Sequence, residues 1–198
     1  MEGEMDGAEK SKKERVIKAA IKLFSKQGYH DTTVSEIANE AEVAKGTVYW
    51  YFDSKEQLFW GIIVSGIEAL NQRLITEVRR EDRSPREKLK MIVQLHLEFF
   101  KNSTEVAKMM QESSVSPSEY LHNEMEKLRN EAVEHIAKVI KLGQEKEEIR
   151  SSIDADELAN FILGSLFGSY NPHVYQLDNV EEKTEMILNI LSQGIVVE

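Results

Sequence analysis

The chain has 198 residues, of which 41% are apolar and 30% are charged, and its formal net charge is −10. This composition is typical of one or two folded domains and excludes a long disordered chain. Cysteine is absent, which excludes disulfides, thiolate catalysis and cysteine-based zinc sites and fits a cytoplasmic protein. No segment has the pattern of a signal peptide or of a membrane span, so we expect no membrane partner.

The negative charge is unevenly distributed along the chain. Residues 10–60 hold nine basic and seven acidic side chains, whereas residues 61–198 hold 16 basic and 24 acidic ones. An anionic partner such as DNA is therefore expected to meet residues 10–60, with the acidic remainder turned away from phosphate. The alternative is that the acidic surface only aids solubility.

The chain begins with a predicted tail followed by a helix. Residues 1–9 have no periodicity and contain two glycines, so we predict a disordered tail. A first helix is predicted over residues 10–27, because apolar residues recur on one face. Gly28 provides its left-handed stop.

A second helix is predicted to begin after Thr33. Thr33 and Glu36 have the spacing of a capping box, in which each side chain bonds to the backbone N–H of the other residue. The apolar residues of this segment recur at intervals of three and four, which predicts one buried face formed by Val34, Ile37, Ala38 and Ala41.

A third, shorter helix is predicted over residues 45–52, after a sharp turn at 42–44. Val48 and Phe52 are four residues apart and face inward, which leaves Tyr49, Trp50 and Tyr51 largely outward. Three outward aromatic rings beside a lysine and a hydroxyl indicate a surface that meets a partner, and DNA is the leading candidate.

This segment belongs to a longer series of motifs between residues 10 and 63. In order, the chain carries Gly-Tyr, Thr-Thr, Ile-Ala, a short turn, Lys-Gly-Thr, Tyr-x-Tyr-Phe and Ser-Lys-Glu. The series resembles, at the family's spacing, the DNA-binding domain of TetR-family transcriptional regulators. The resemblance implies an all-α protein with a three-helix, helix-turn-helix DNA-binding domain at 10–55. It also implies a larger helical effector-binding and dimerisation domain at 56–198.

Carried over onto this sequence, the resemblance implies a set of DNA contacts. Thr47 and Trp50 are expected at base edges, and Gly46 permits close approach to a phosphate. Lys55, at the start of a helix, is expected to clamp the flanking backbone, although a solvated lysine is the alternative. The complete predicted set is Thr33, Lys45, Gly46, Thr47, Tyr49, Trp50, Tyr51 and Lys55.

Two residues of the turn depart from the family pattern. Glu42 stands where glycine is usual, and Ala44 stands where a serine or threonine cap is usual. Losing glycine at a left-handed position costs about 1 kcal/mol, and losing a cap costs about 0.5–2 kcal/mol. These departures support the alternative function, an all-helical small-molecule binding or scaffold protein that does not bind an operator.

The remaining chain is predicted to be helical throughout, with about nine helices in total and no strand. Helices are expected over residues 55–80, 85–101, 104–113, 119–146, 155–170 and 180–196. The helix at 155–170 is apolar almost all round in its later turns, which is typical of a helix buried on several sides.

The resemblance implies that the last two helices form a four-helix bundle with a second copy of the chain. A twofold dimer predicts a palindromic operator with recognition helices about 34–36 Å apart. The predicted interface consists of Phe161, Gly164, Ser165, Gly168, Ile187, Ile190 and Leu191.

The resemblance also implies an effector pocket in the larger domain. Aromatic residues and methionines suit an apolar or amphipathic small molecule, but at helical spacing such residues are more often core. The candidate lining consists of Trp60, His96, Phe99, Phe100, Met109, Met110, Tyr120, Leu163, Phe167 and Tyr170.

The sequence predicts no catalytic site, cofactor or metal site. No nucleophile elbow, phosphate loop or catalytic carboxylate cluster is present. Glu131 and His135 are four residues apart, but such a pair is far more often a surface ion pair than a metal site. The predicted function is that of a homodimeric repressor, released from its operator by the effector.

Overall fold

The computed structural model describes the backbone of residues 2–103, 118–168 and 179–195. Within these ranges the chain forms eight α-helices and no strand, which confirms the predicted all-α fold. The predicted helix at 104–113 lies outside the described residues. The helices are α1 (Glu2–Asp31), α2 (Val34–Glu40), α3 (Lys45–Tyr51), α4 (Lys55–Val78), α5 (Pro85–Asn102), α6 (Glu119–Glu145), α7 (Ala155–Gly168) and α8 (Val180–Ile195).

The first helix is longer than the sequence predicts. The backbone of residues 2–9 is helical, where composition predicts a disordered tail. Glutamate, methionine and alanine are good helix formers, and acidic residues favour a helix N-terminus, which accounts for the difference. Gly28 interrupts the helix with φ 83° and ψ 166°, so the expected positive φ is present but ψ is extended rather than left-handed helical, and the chain kinks before Asp31.

The described residues fall into two units. The first contains residues 2–66 and 118–122 and includes α1, α2 and α3. Its core holds an aromatic cluster in which the ring of Phe59 lies 5.5 Å from that of Phe24, 5.2 Å from that of Tyr29 and 5.3 Å from that of Trp60. These separations are in the range of favourable edge-to-face pairs.

The second unit contains residues 67–103, 123–168 and 179–195. Its apolar core is built from the later part of α4 together with α5, α6, α7 and α8. The side-chain amide of the buried Asn71 donates to the carbonyl of Leu128 at 2.8 Å, which satisfies a polar group inside this core.

The N-termini of α5 and α7 are both capped by side chains. Ser84 immediately precedes Pro85, the first residue of α5, and forms a capping box with Glu87 in the first turn of that helix. Asp154 accepts from the backbone N–H groups of Asp156 and Glu157 and so caps the start of α7.

α4 contributes residues to both units, and the division between them falls after residue 66, inside this helix. The predicted domain boundary lies at its start, after residue 55. None of the helices in the described ranges has the length and apolar character needed to cross a bilayer.

Candidate nucleic-acid interface

The start of α2 is a complete capping box, as the sequence predicts. The hydroxyl oxygen of Thr33 accepts from the backbone N–H of Glu36 at 3.2 Å, and the carboxylate of Glu36 accepts from the N–H of Thr33 at 2.7 Å. Hydrogen bonds from the hydroxyl and backbone of Thr33 lower the pKa of Glu36. The box fixes where α2 begins, and the predicted apolar face is buried at Val34, Ile37, Ala38 and Ala41.

α3 is a seven-residue helix held by its inner face. Val48 and Phe52 are both buried, as predicted. An isolated helix of this length is unstable in water, so its position depends on this packing and on the turn before it.

The outer face of α3 presents aromatic rings to solvent. Trp50 is 65% exposed and Tyr49 is 45% exposed. The ring of Tyr51 meets that of Trp50 edge-on at 4.8 Å, and the ammonium of Lys45 lies 5.9 Å from the ring centre of Tyr49. Large exposed rings beside a cation are suited to contacts with a nucleic acid.

Two further predicted DNA-contact residues of α3 are accessible. Thr47 is half-buried, and Gly46 is exposed. A Cβ added at Gly46 would meet no atom within 4 Å, so the space beside its backbone is open. Together with Lys45, Tyr49, Trp50 and Tyr51, these residues form one surface, which we call the α3 surface.

The turn between α2 and α3 has a left-handed residue at Glu42 and an N-cap without a side-chain acceptor at Ala44, as expected where these two residues depart from the family pattern. Glu42 adopts φ 53°, the left-handed conformation that favours glycine. Ala44 occupies the N-cap of α3 and makes no side-chain capping bond. A guanidinium nitrogen of Arg15 in α1 donates to the backbone carbonyls of Ala41 at 2.5 Å and Glu42 at 2.8 Å.

Lys55 directs its ammonium into the first unit. Its Nζ donates to the carbonyls of Tyr29 at 2.7 Å and Thr32 at 2.8 Å, and it lies 4.2 Å from the ring centre of Tyr29. Burial lowers the pKa of Lys55, while the carboxylates of Asp31 and Glu36 act in the opposite direction. The side chain that the resemblance places on DNA therefore bonds the backbone at the end of α1 instead. No local sequence pattern indicates this contact, because its partners lie more than 20 residues apart.

The predicted effector-lining residues divide between the units. Trp60 is buried and Tyr120 is 70% exposed, and both belong to the first unit. His96, Phe100 and Leu163 are buried in the second unit. Phe99 is half-buried there. Met109, Met110, Tyr170 and the side chain of Phe167 lie outside the described residues.

Two of these buried residues carry polar atoms. The indole Nε1–H of Trp60 has no hydrogen-bond partner in the part of the chain that the structure describes. The Nδ1 of His96 lies 2.7 Å from the carbonyl of Ile92, and burial lowers the pKa of His96.

The predicted dimer residues include an exposed apolar set on α7 and α8. Phe161 in α7 is 64% exposed and Ile190 in α8 is 66% exposed. Met186, which also lies in α8, is exposed as well. Gly164 is exposed with open space at its Cα, so α7 has one uncovered side in the single chain. Ser165 and Ile187 are half-buried and Leu191 is buried, while the side-chain surroundings of Gly168 lie outside the described residues.

The described residues contain no group of three or more histidine and carboxylate side chains that could hold a metal ion. His135 is half-buried, and burial lowers its pKa, with the neighbouring Lys138 contributing in the same direction.

Both parts of the chain match known protein families. Residues 16–60 match the family described as bacterial regulatory proteins, tetR family. Residues 82–171 match the tetracyclin repressor-like C-terminal domain. The two matches together cover more than half of the chain and confirm the resemblance found in its motifs.

The curated relatives that the chain matches are named as transcriptional regulators. The fatty acid metabolism regulator protein of Bacillus subtilis is 23% identical over 183 residues, which cover 91% of this chain and 94% of that protein. A second protein of that organism, the uncharacterized regulator YuxN, is 28% identical over 70% of this chain but only 48% of its own length.

Solved structures share the fold over nearly the whole chain. A structure from Clostridium perfringens, named for fatty acid metabolism regulation, is 30% identical with a TM-score of 0.73 and covers 93% of this chain and 100% of its own. FadR from Bacillus subtilis, in complex with stearoyl-CoA, is 22% identical with a TM-score of 0.75 and covers 91% of this chain and 97% of its own.

Proposed function

The chain belongs to the TetR family of bacterial transcriptional regulators, and from that premise we propose that it is a homodimeric repressor released from a palindromic operator by an acyl effector. The observation that carries the DNA-binding part is the α3 surface, where exposed rings and a cation stand on a helix that is held from its inner side by the buried Val48 and Phe52.

We assign the α3 surface to the major groove of the operator. Trp50 is the most exposed of its rings and reads base edges together with the hydroxyl of Thr47. Lys45, Tyr49 and Tyr51 contact phosphates, and the open backbone at Gly46 admits one closely. Thr33 contacts the adjacent phosphate from the start of α2. Lys55 contacts no DNA in this arrangement but holds the end of α1 against the start of α4.

The dimer is supported by the uncovered apolar side of α7 and α8. Phe161, Met186 and Ile190 would expose large apolar area in a monomer, which favours a partner surface of the same kind. A second copy of the chain supplies such a surface, and its twofold axis requires a palindromic site.

The effector is proposed from the names of the relatives and from one buried donor. Two relatives are named for fatty acid metabolism regulation, and one solved relative contains stearoyl-CoA. The indole N–H of Trp60 is buried and lacks a partner among the described residues, and a buried donor left unpaired costs about 1–3 kcal/mol. An acyl carbonyl or carboxylate is an acceptor that would satisfy it.

The proposed response passes through α4. This helix is continuous from residue 55, beside α3 in sequence, to residue 78 in the second unit. Effector binding that displaces α4 would change the separation of the two α3 surfaces in the dimer and lower operator affinity.

The DNA-binding proposal is tested by selecting duplexes from a randomised library with the full chain and titrating salt against the enriched sequence. We expect an enriched palindrome whose binding weakens steeply as salt rises, because phosphate contacts release counterions. Enrichment of no sequence, together with no binding at low salt, would instead support the scaffold alternative.

The effector proposal is tested by adding stearoyl-CoA to the complex with the selected duplex. We expect dissociation in the wild type and a weaker response in Trp60→Phe, which keeps a ring but removes the N–H donor. Equal operator affinity with and without stearoyl-CoA would refute this class of effector for the chain.

A further inference from the structure

The turn between α2 and α3 keeps the backbone hydrogen bonds that close α2, from the N–H of Val43 to the carbonyl of Ala38 and from the N–H of Glu42 to the carbonyl of Asn39, but it lacks the glycine and the capping side chain that are usual there. Its left-handed position carries Glu42 instead of glycine, and this conformation is strained for a residue with a side chain. The N-cap of α3 is Ala44, which supplies no side-chain acceptor. A seven-residue helix that follows such a turn needs support from elsewhere.

Arg15 supplies contacts at this point from a different helix. Its Nη2 donates to the carbonyl oxygens of Ala41 and Glu42 at 2.5 and 2.8 Å, and the Glu42 carboxylate lies at 3.4 Å. Carbonyls at the end of a helix have no partner within it, and a cation there is also favoured by the helix dipole. Arg15 therefore ties the end of α2 and the strained residue to α1.

The backbone contacts, rather than the ion pair, are the important part of this arrangement. The Glu42 side chain is 88% exposed and its carboxylate is the most distant of the three acceptors. An exposed ion pair contributes little to stability. The nearby pair of Lys22 and Glu40, at 2.6 Å, is also largely exposed and provides a second, weaker tie.

The backbone of α1 next to Arg15 is fixed by packing. Val16, Ala19 and Ala20, which follow it in α1, are buried in the core of the first unit. This packing fixes the backbone from which the Arg15 side chain extends, and one planar guanidinium that bonds two carbonyls loses less freedom per hydrogen bond, so Arg15 can fix the direction in which α3 leaves α2.

We propose that Arg15 is a positioning residue that sets the orientation of the α3 surface by holding the carbonyls of the Ala41–Glu42 turn. This rests on the proposed DNA-binding function. In this role Arg15 touches no base or phosphate, and its effect on sequence recognition passes entirely through the turn. It also accounts for how this chain accommodates glutamate and alanine where the family uses glycine and a capping residue.

The first test measures the turn in the free protein, independently of DNA. Hydrogen exchange of the backbone amides of residues 41–52 is compared in the wild type, Arg15→Ala and Lys18→Ala. Lys18 is an exposed residue on the same helix and serves as the matched control. We expect exchange in this segment to accelerate about tenfold in Arg15→Ala and to stay unchanged in Lys18→Ala.

The second test measures recognition with the selected duplex and a random duplex of equal length. We expect Arg15→Ala to bind the selected duplex about tenfold more weakly, with a much smaller change on the random duplex and an unchanged salt slope. Arg15→Lys, which keeps one compact donor, should fall between the wild type and Arg15→Ala.

A rescue variant keeps the proposal testable if Arg15→Ala folds poorly. Glu42→Gly removes the strain of the left-handed residue but leaves the backbone carbonyl in place. The double variant Arg15→Ala/Glu42→Gly should therefore recover most of the lost discrimination, which a residue that contacts phosphate directly would not allow.

Two results would overturn the proposal. One is hydrogen exchange in Arg15→Ala that matches that in Lys18→Ala, together with binding of the selected duplex that matches the wild type. The other is a salt slope that falls by about one contact in Arg15→Ala, which would make Arg15 a phosphate ligand. If the wild type selects no duplex, the proposed function fails, whereas the exchange comparison still decides the role of Arg15.

Discussion

At the scale of single residues, Lys55 joins the end of α1 to the start of α4 within the first unit. Its ammonium bonds carbonyls at the end of α1 while its backbone begins α4. Lys55→Met keeps the length of the side chain but removes the donor. We expect the free energy of unfolding to fall by about 1–3 kcal/mol, the range for losing charge-assisted hydrogen bonds at a partly buried site.

Thermal or urea unfolding of the full chain measures this loss, with Lys26→Met on the exposed face of α1 as control. The control should change stability by less than about 0.5 kcal/mol. Unchanged stability in Lys55→Met, combined with a lower salt slope for DNA binding, would return Lys55 to the role of a phosphate clamp.

Lys55 shares with Arg15 and Lys88 a contact to the end of a helix that is distant in sequence. Arg15 contacts the end of α2, and the buried Lys88 donates to the carbonyl of Val78 at 2.8 Å, at the end of α4. Each cation bonds carbonyls at or just beyond the end of a helix, in addition to the local backbone hydrogen bonds there. Because the partners are 10 to 26 residues apart, no short-range sequence signal predicts these contacts.

At the scale of elements, two glycines in helices have opposite surroundings. A Cβ at Gly143 in α6 would lie 2.6 Å from the Cδ1 and 2.8 Å from the Cγ1 of Ile149, whereas a Cβ at Gly164 in α7 would meet nothing within 4 Å. Alanine gains about 0.5–1 kcal/mol over glycine in a helix, but overpacking costs about 1–3 kcal/mol. We therefore expect Gly143→Ala to be destabilising by up to about 2 kcal/mol.

Chemical denaturation of Gly143→Ala and Gly164→Ala provides the comparison. Gly164→Ala should leave the fold of the single chain unharmed, since its Cβ has room. Greater stability in Gly143→Ala than in the wild type would mean that Ile149 moves aside without loss of packing.

The elements that the sequence predicts well are those with local start signals. Thr33 and Glu36 define the start of α2, and Asp154 defines that of α7. The spacing of Val48 and Phe52 likewise separates the packed side of α3 from its exposed surface. The extent of α1 was not predicted, because good helix formers and glycines give conflicting signals in residues 2–9.

At the scale of the whole molecule, the apolar side of α7 and α8 is the surface that we propose to meet a second copy. Ile190→Glu places a charge on a residue that is exposed in the single chain, so folding of the chain should be preserved. If that side is the dimer interface, the dimer dissociation constant should rise at least about 100-fold, because an unpaired charge would be buried.

Sedimentation velocity at several protein concentrations measures this change, with Tyr120→Glu as the control. Tyr120 is another exposed aromatic residue, but it lies in the first unit, outside α7 and α8. The control should sediment like the wild type. A wild-type dimer that Ile190→Glu leaves intact would place the interface elsewhere.

The chain contains two tryptophans, and the structure gives them opposite environments. Trp50 is largely in water on the α3 surface, whereas Trp60 is enclosed beside the ring of Phe59. The indole emission of the protein is therefore the sum of a long-wavelength and a short-wavelength component, and Trp50→Phe or Trp60→Phe isolates each one. The regulator thus carries an intrinsic fluorophore at the proposed DNA contact and another at the proposed effector contact, so both binding events can be followed without an added label.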